Sequence, residues 1–134
     1  MKNLKIILII VAGFLIKSCI LPVEPKEKSP DLNFKIINSS SVEIYYTVSI
    51  NLNEILYRKP EESDKILIGS FKADATFEDF FKDGRLLTIF IYKKSTLDNN
   101  TWQVIKDQGL YDKRYDLTLA QLKALNYEIV YTGL

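Results

Sequence analysis

The chain has 134 residues, 47% of them hydrophobic, with eight tyrosines, seven phenylalanines, one cysteine and no histidine. That apolar supply builds one folded domain rather than a disordered tail, and a lone cysteine excludes an internal disulfide. Eighteen basic and 17 acidic side chains leave a net charge of +1 without any block of like charge, which sets nucleic-acid binding aside; the lack of histidine removes imidazole bases, histidine triads and the common zinc sites.

The first element is a leader. Lys2 and Lys5 introduce an unbroken apolar run, Ile6 to Ile16, and Lys17, Ser18 and Cys19 follow. Eleven apolar residues extend roughly 16 Å as a helix, about half of a hydrocarbon core of roughly 30 Å. The run is too short to span a bilayer and suits the apolar region of a cleaved secretory signal. The segment resembles the lipobox of bacterial lipoproteins, in which a peptidase cuts before a cysteine that carries lipid. Ser18 supplies the small residue before the cut and Ile16 the branched aliphatic two places earlier; Lys17 departs from the pattern. Cys19 is therefore the expected lipidation site, with palmitate-type acyl chains. Each buried methylene contributes about 0.8 kcal/mol, so two or more chains anchor stably where one does not. Two other readings stand beside it: an ordinary secretory signal with an incidental cysteine, and a buried first helix of a cytosolic protein. The second lacks any polar face at helical spacing.

The expected organisation is a signal peptide at 1–18, a lipidated cysteine and proline-rich tether at 19–30, and a single β-rich globular domain at 31–134. Without residues 1–18, which hold three lysines and no acid, 15 basic and 17 acidic side chains remain. Ile20 to Pro30 contains three prolines and four charges. Such a segment forms neither helix nor central strand, and at about 3.1 Å per residue it lifts the domain roughly 30 Å from a membrane. The alternative is that part of it packs on the domain as an edge segment.

Within the domain, Leu32 to Ile37 alternates as a strand, with Leu32, Phe34 and Ile36 on one face. Asn38-Ser39-Ser40-Ser41 is a turn cluster. Val42 to Ile50 follows as the clearest strand, with Val42, Ile44, Tyr46, Val48 and Ile50 on one face and Glu43, Tyr45, Thr47 and Ser49 on the other. The two are expected to form a hairpin. Ile55-Leu56-Tyr57 reads as a short strand, Lys59 to Asp64 as a solvated turn, and Lys65 to Phe71 as a further strand. Thr76 to Lys82 reads as a short helix capped by Thr76, with Asp79 near a capping-box position, ended by Gly84. Arg85 to Tyr92 is mostly apolar, as expected of a central strand buried on both faces. Ser95 to Gln108 begins as a loop and ends as a helical turn capped by Thr101 and stopped by Gly109. Leu110 to Asp116 is extended. Thr118 opens a helix with Gln121 completing a capping box, and Tyr127 to Thr132 closes the domain as a strand. Strand signals outweigh helix signals. The expected fold class is mainly β (α+β): a small antiparallel β-sandwich or barrel-like domain with two or three short helices.

Two stretches carry a wider resemblance. Ile37 to Tyr45 holds an Asn-Ser turn before a strand. Thr101-Trp102 precedes Lys113-Arg114-Tyr115-Asp116-Leu117-Thr118-Leu119-Ala120-Gln121-Leu122 and then Leu125-Asn126-Tyr127. Together they resemble a group of small, uncharacterised lipoproteins of Gram-negative gut-type bacteria, with Tyr127 standing where a Trp is common. The resemblance implies an anchored β-rich domain and carries over no catalytic residue.

No motif names a reaction. Ser-x-x-Lys is absent, and the five glycines are scattered, so no phosphate-cradling loop exists. Asp98-Asn99-Asn100 begins like a calcium loop, but Gln103 and Gly109 occupy its glycine and glutamate positions. Glu78 and Asp79 are the nearest carboxylate pair for acid–base work, yet their place in a helical first turn already explains them by the helix dipole. Tyr45, Trp102, Arg114 and Tyr115 are the candidate binding residues. Stacking on a sugar or protein partner is weighed there against packing of core and strand faces. Tyr45 is singled out because it lies on the polar face of the clearest strand. A salt bridge from Arg114 toward the last helix competes with a ligand contact.

The function expected is that of a lipid-anchored envelope lipoprotein acting as a non-catalytic protein-binding or structural accessory. It needs no cofactor or metal, and its partners are a membrane, through Cys19, and an envelope protein or glycan. The alternatives are a carbohydrate-binding accessory, which requires an exposed aromatic row, and a carboxylate-dependent hydrolase, which requires two buried acids in one cleft. Glu24 and Glu27, diluted by Lys26 and Lys28, give a weak acidic signal after Cys19, and the outer membrane is expected over the inner.

Overall fold

Alternation of branched and aromatic residues with polar ones builds two sheets that face one another. The computed structural model describes residues 31–49 and 58–133. The leader, Cys19, the tether, Ile50 and the strand expected at Ile55 to Tyr57 lie outside the described residues. The first sheet has three strands: β1 (Asp31–Asn38) lies between β4 (Phe71–Phe77), antiparallel to it, and β7 (Glu128–Tyr131), parallel to it. The second has four, in the order β3 (Lys65–Ile66), β2 (Ile44–Ser49), β5 (Leu87–Lys93) and β6 (Lys113–Leu117), antiparallel throughout. Three short helices follow β5: α1 (Lys94–Asn99), α2 (Trp102–Gln108) and, after β6, α3 (Leu119–Ala124). Two 3-10 turns sit at Glu62–Asp64 and Glu78–Gly84. This is the small, mainly β domain with short helices that the periodicity predicts.

Phe34 and Ile36 of β1 and Ile129 and Tyr131 of β7 meet Ile44, Ile89 and Ile91 between the sheets. Burial of such side chains contributes about 1.5–3 kcal/mol each and dominates the stability of the fold. β5 is buried along nearly its whole length because both its faces are covered. Its second face carries Phe90 and Tyr92, which pack with Tyr45 beneath Ile105, Trp102 and Leu97 of α2 and α1. The domain is thus three layers deep on the β5 side.

Several expectations are corrected. β1 and β2 form no hairpin; they belong to different sheets. The intervening turn crosses the sandwich, and Asn38, fully buried at the end of β1, ties that crossing to the second sheet with side-chain bonds to the Val42 and Ile66 carbonyls. The strand expected over Lys65 to Phe71 is two strands. β3 stops at Ile66, Gly69 takes a left-handed conformation (φ 71°), and β4 starts at Phe71. Thr76 therefore caps no helix. It is a strand residue, and a 3-10 turn starts two residues later, after Phe77. The loop expected at Ser95 is helix α1. Within the turn expected to be solvated at Lys59 to Asp64, Asp64 is buried.

Other expectations match. Thr101 accepts a hydrogen bond from the Val104 amide and Gly109 ends α2 in the left-handed region (φ 62°). Thr118 and Gln121 form the complete capping box of α3. Ile129 and Tyr131 point inward from β7 while Val130 points out.

Candidate functional site

The strand pleat separates the residues singled out in the sequence. Tyr45 faces away from the sandwich core, but α1 and α2 cover that face, and it is only 8% exposed. Its hydroxyl donates to Glu62 Oε2 at 2.8 Å. Burial, then this bond to a carboxylate, raises its pKa. Trp102 opens α2 and meets Tyr92 edge-on, ring centroids 5.9 Å apart. Arg114, opposite Phe90 in register, lays its guanidinium 5.5 Å from that ring and pairs with Asp116 at 2.9 Å. Tyr115, one residue on, turns to the other face, packs against the sandwich core and donates its hydroxyl to the Val130 carbonyl at 3.1 Å. Three of the four thus gather around the helix-covered face and the fourth lies across the sheet. Tyr45 and Trp102 are packing residues there rather than a displayed platform.

Glu78 and Asp79 border a shallow groove of about 470 Å³, shared with Phe81, Arg85, Thr118 and Leu119. Glu78 pairs with Lys123 at 2.9 Å and Asp79 with Lys82 at 2.6 Å. Each carboxylate faces its own lysine, not the other acid across a reacting atom. Asp98, from the failed calcium loop, pairs with Lys94. Among the described residues no group of three or more potential ligands could hold a metal ion.

Two features had no signal in residue spacing. The first is a polar clamp at the 3-10 turn that leads into β3. Arg58 grips Asp64 in a two-pronged pair, Nη1 to Oδ2 at 2.6 Å and Nη2 to Oδ1 at 2.9 Å, and the Glu61 amide donates to Oδ2 at 2.7 Å. Burial pushes the Asp64 carboxyl up, but Arg58 and the Glu61 amide outweigh it and hold the pKa below its ordinary value. Beside it the Tyr46 hydroxyl donates to Asp74 Oδ2 at 3.3 Å, and burial together with Asp74 and Asp64 pushes its pKa up to about 12. Arg58 and Asp64 fix each other's charge, so the cluster acts as a clamp and offers no poised proton donor near neutral pH.

The second feature is the outer face of the three-stranded sheet. Phe71, Ile37 and Val130 stand side by side across β4, β1 and β7. Phe71 is 56% exposed and Val130 45%, and Leu67 and Ile68, in the turn before β4, are more than half exposed. Only Lys35 and Glu128, paired at 3.3 Å, interrupt this face nearby. Apolar side chains gathered on one exposed face mark an interaction surface more often than isolated ones do. The sequence hid it because the alternation of β4 runs inside out: Phe71, Ala73, Ala75 and Phe77 face outward, and Lys72, Asp74 and Thr76 face inward.

Comparison with known protein families, curated proteins and solved structures found no match. The exposed sheet face and the clamp behind it are the features of the domain that bear on function.

Proposed function

We propose that the protein is a lipoprotein of the bacterial envelope, held by lipid on Cys19, whose domain is a non-catalytic binding or structural accessory. The pattern that supports the anchor is the short apolar run from Ile6 to Ile16, ending in Ser18 and the only cysteine of the chain. No helix among the described residues is long and apolar enough to cross a membrane. The resemblance of the Asn38–Ser41 turn and the Lys113–Leu122 segment to small envelope lipoproteins points the same way.

The single observation that carries the binding role is the outward row of Phe71, half-buried Ile37 and Val130, whose two outer members are exposed. An outward sheet face ordinarily carries polar residues. Here its apolar end suits a protein surface of the envelope better than a glycan, since Tyr45 and Trp102 lie against the helices. The outer membrane is the proposed location.

The test of the anchor is labelling with a fatty-acid analogue followed by membrane fractionation. Wild type is expected to take the label and to sediment with membranes, and Cys19→Ala to lose both properties. A variant that keeps the label overturns the reading.

A further inference from the structure

β4 offers more than a face. Its register with β1 sets Ile36 opposite Lys72, and the Asn38 amide donates to the Ser70 carbonyl at 2.9 Å. In an antiparallel ladder alternate residues bond to the same neighbour. The even-numbered residues of β4 therefore bond to β1, and Phe71, Ala73, Ala75 and Phe77 direct their amides and carbonyls to the other side, where the Ala75 amide donates to Asp74 Oδ1 at 2.8 Å. No strand among the described residues pairs there, and Phe71, Lys72, Ala73 and Ala75 are all exposed. An edge of this kind invites another strand.

Its side chains decide which one. Lys72 and Asp74 leave β4 on its inner face, opposite Ile36 and Phe34. Inward charges on an edge strand ordinarily block pairing, because an incoming strand must face them. For a second β4 run antiparallel, the registers that satisfy the free backbone groups differ in what meets these charges. Centring on Lys72 sets Lys72 against Lys72, and centring on Asp74 sets Asp74 against Asp74. Centring on Ala73 sets Lys72 of each copy opposite Asp74 of the other, twice. It also places Phe71 beside Ala75 of the second copy, large against small on the outer face. About six backbone hydrogen bonds close across this junction, two of them from Ala75 amides that exchange Asp74 Oδ1 for the Phe71 carbonyl of the other copy.

We propose that two copies of the chain associate through β4, antiparallel about Ala73, to make one continuous six-stranded sheet. The pairing is isologous and closes on itself, as a two-fold contact must. It joins the two exposed Phe71 rows into one surface. It does not depend on lipid at Cys19, so it stands or falls apart from the anchor.

Cysteine scanning of the full chain in detergent solution, with Cys19→Ser removing the native thiol, tests the register. Mild oxidation of Ala73→Cys is expected to give a covalent dimer at least roughly tenfold faster than Ala75→Cys, because facing Cα atoms in a ladder lie within disulfide reach and Ala75 faces Phe71 instead. Equal rates, or a wild-type chain that sediments as a monomer at every concentration, overturn the proposal. Charge reversal gives a second reading. Lys72→Glu should weaken the dimer by roughly tenfold, and adding Asp74→Lys should restore it. A dimer indifferent to Lys72→Glu, or a double variant no stronger than the single one, also overturns it. Circular dichroism checks that each variant is folded, and the Ala73→Cys result stands without any change at Lys72.

Discussion

Asn38 Nδ2 donates to the Ile66 carbonyl at 3.1 Å, so the last residue of β1 in one sheet is bonded to β3 in the other. The same amide nitrogen donates to the Val42 carbonyl at 2.8 Å, and Asn38 Oδ1 accepts from the Ser40 amide and hydroxyl. A fully buried amide thereby satisfies the chain where it changes sheets. Asn38→Ala leaves two carbonyls, an amide and a hydroxyl without these partners, and the expected loss is about 3 kcal/mol. Urea unfolding checks it: the midpoint should fall with an unchanged slope, while Ser39→Ala, at an exposed neighbour, should stay within about 0.5 kcal/mol of wild type.

The clamp predicts an acid dependence. The folded pKa of Asp64 lies below its ordinary 3.8, so the folded state releases its proton more readily than the unfolded chain. The stability it contributes is present above the unfolded value and is lost as pH falls through the folded one. Asp64→Asn should be less stable than wild type at pH 7, and the gap should narrow steadily below about pH 4. A gap that stays constant down to pH 2 counts against the clamp.

The Tyr92 hydroxyl predicts the opposite limb. It is directed toward the Thr47 side chain, yet it makes no hydrogen bond of acceptable geometry and is fully buried. Removing a buried polar atom without a partner costs nothing in contacts, so Tyr92→Phe should be neutral or stabilising by up to about 1 kcal/mol at pH 7. Burial pushes the pKa of Tyr92 up to about 12 from 10.0. Between those values the folded state keeps a proton that the unfolded chain has lost, so stability falls as pH rises. Tyr92→Phe should reduce that alkaline slope, leaving the share due to Tyr46, also raised to about 12, and to Tyr45, Tyr115 and Tyr131, which burial raises as well.

The start of α3 gives a local test. Thr118 Oγ1 accepts from the Gln121 amide at 3.2 Å and Gln121 Oε1 accepts from the Thr118 amide at 2.9 Å. Thr118→Ala should cost about 1 kcal/mol, and Thr118→Ser or Thr118→Asp should recover most of it. Thermal melts of the three variants would measure this, and equal melting temperatures would remove the cap from the account of stability.

Short-range patterning is legible in the chain before any fold is known. β1, β2, β5 and β7 show their alternation or their unbroken apolar run within a few residues, and Thr101, Gly109, Thr118 and Gln121 mark helix ends through bonds spanning three or four positions. Tertiary structure alone decided which strands are neighbours. The parallel contact of β1 with β7 joins Lys35 to Glu128, and that of β1 with β4 joins residues about as far apart as Ile36 and Lys72. Such pairs leave no trace in local periodicity. It also decided that the polar-looking face of β2 is buried, because α1 and α2 fold over Tyr45, and that β4 is a strand at all. Its alternation is inverted, with Phe71, Ala73, Ala75 and Phe77 outward, so no buried apolar face announces it, and its backbone bonds to β1 hold Lys72, Ala73, Asp74 and Ala75 extended.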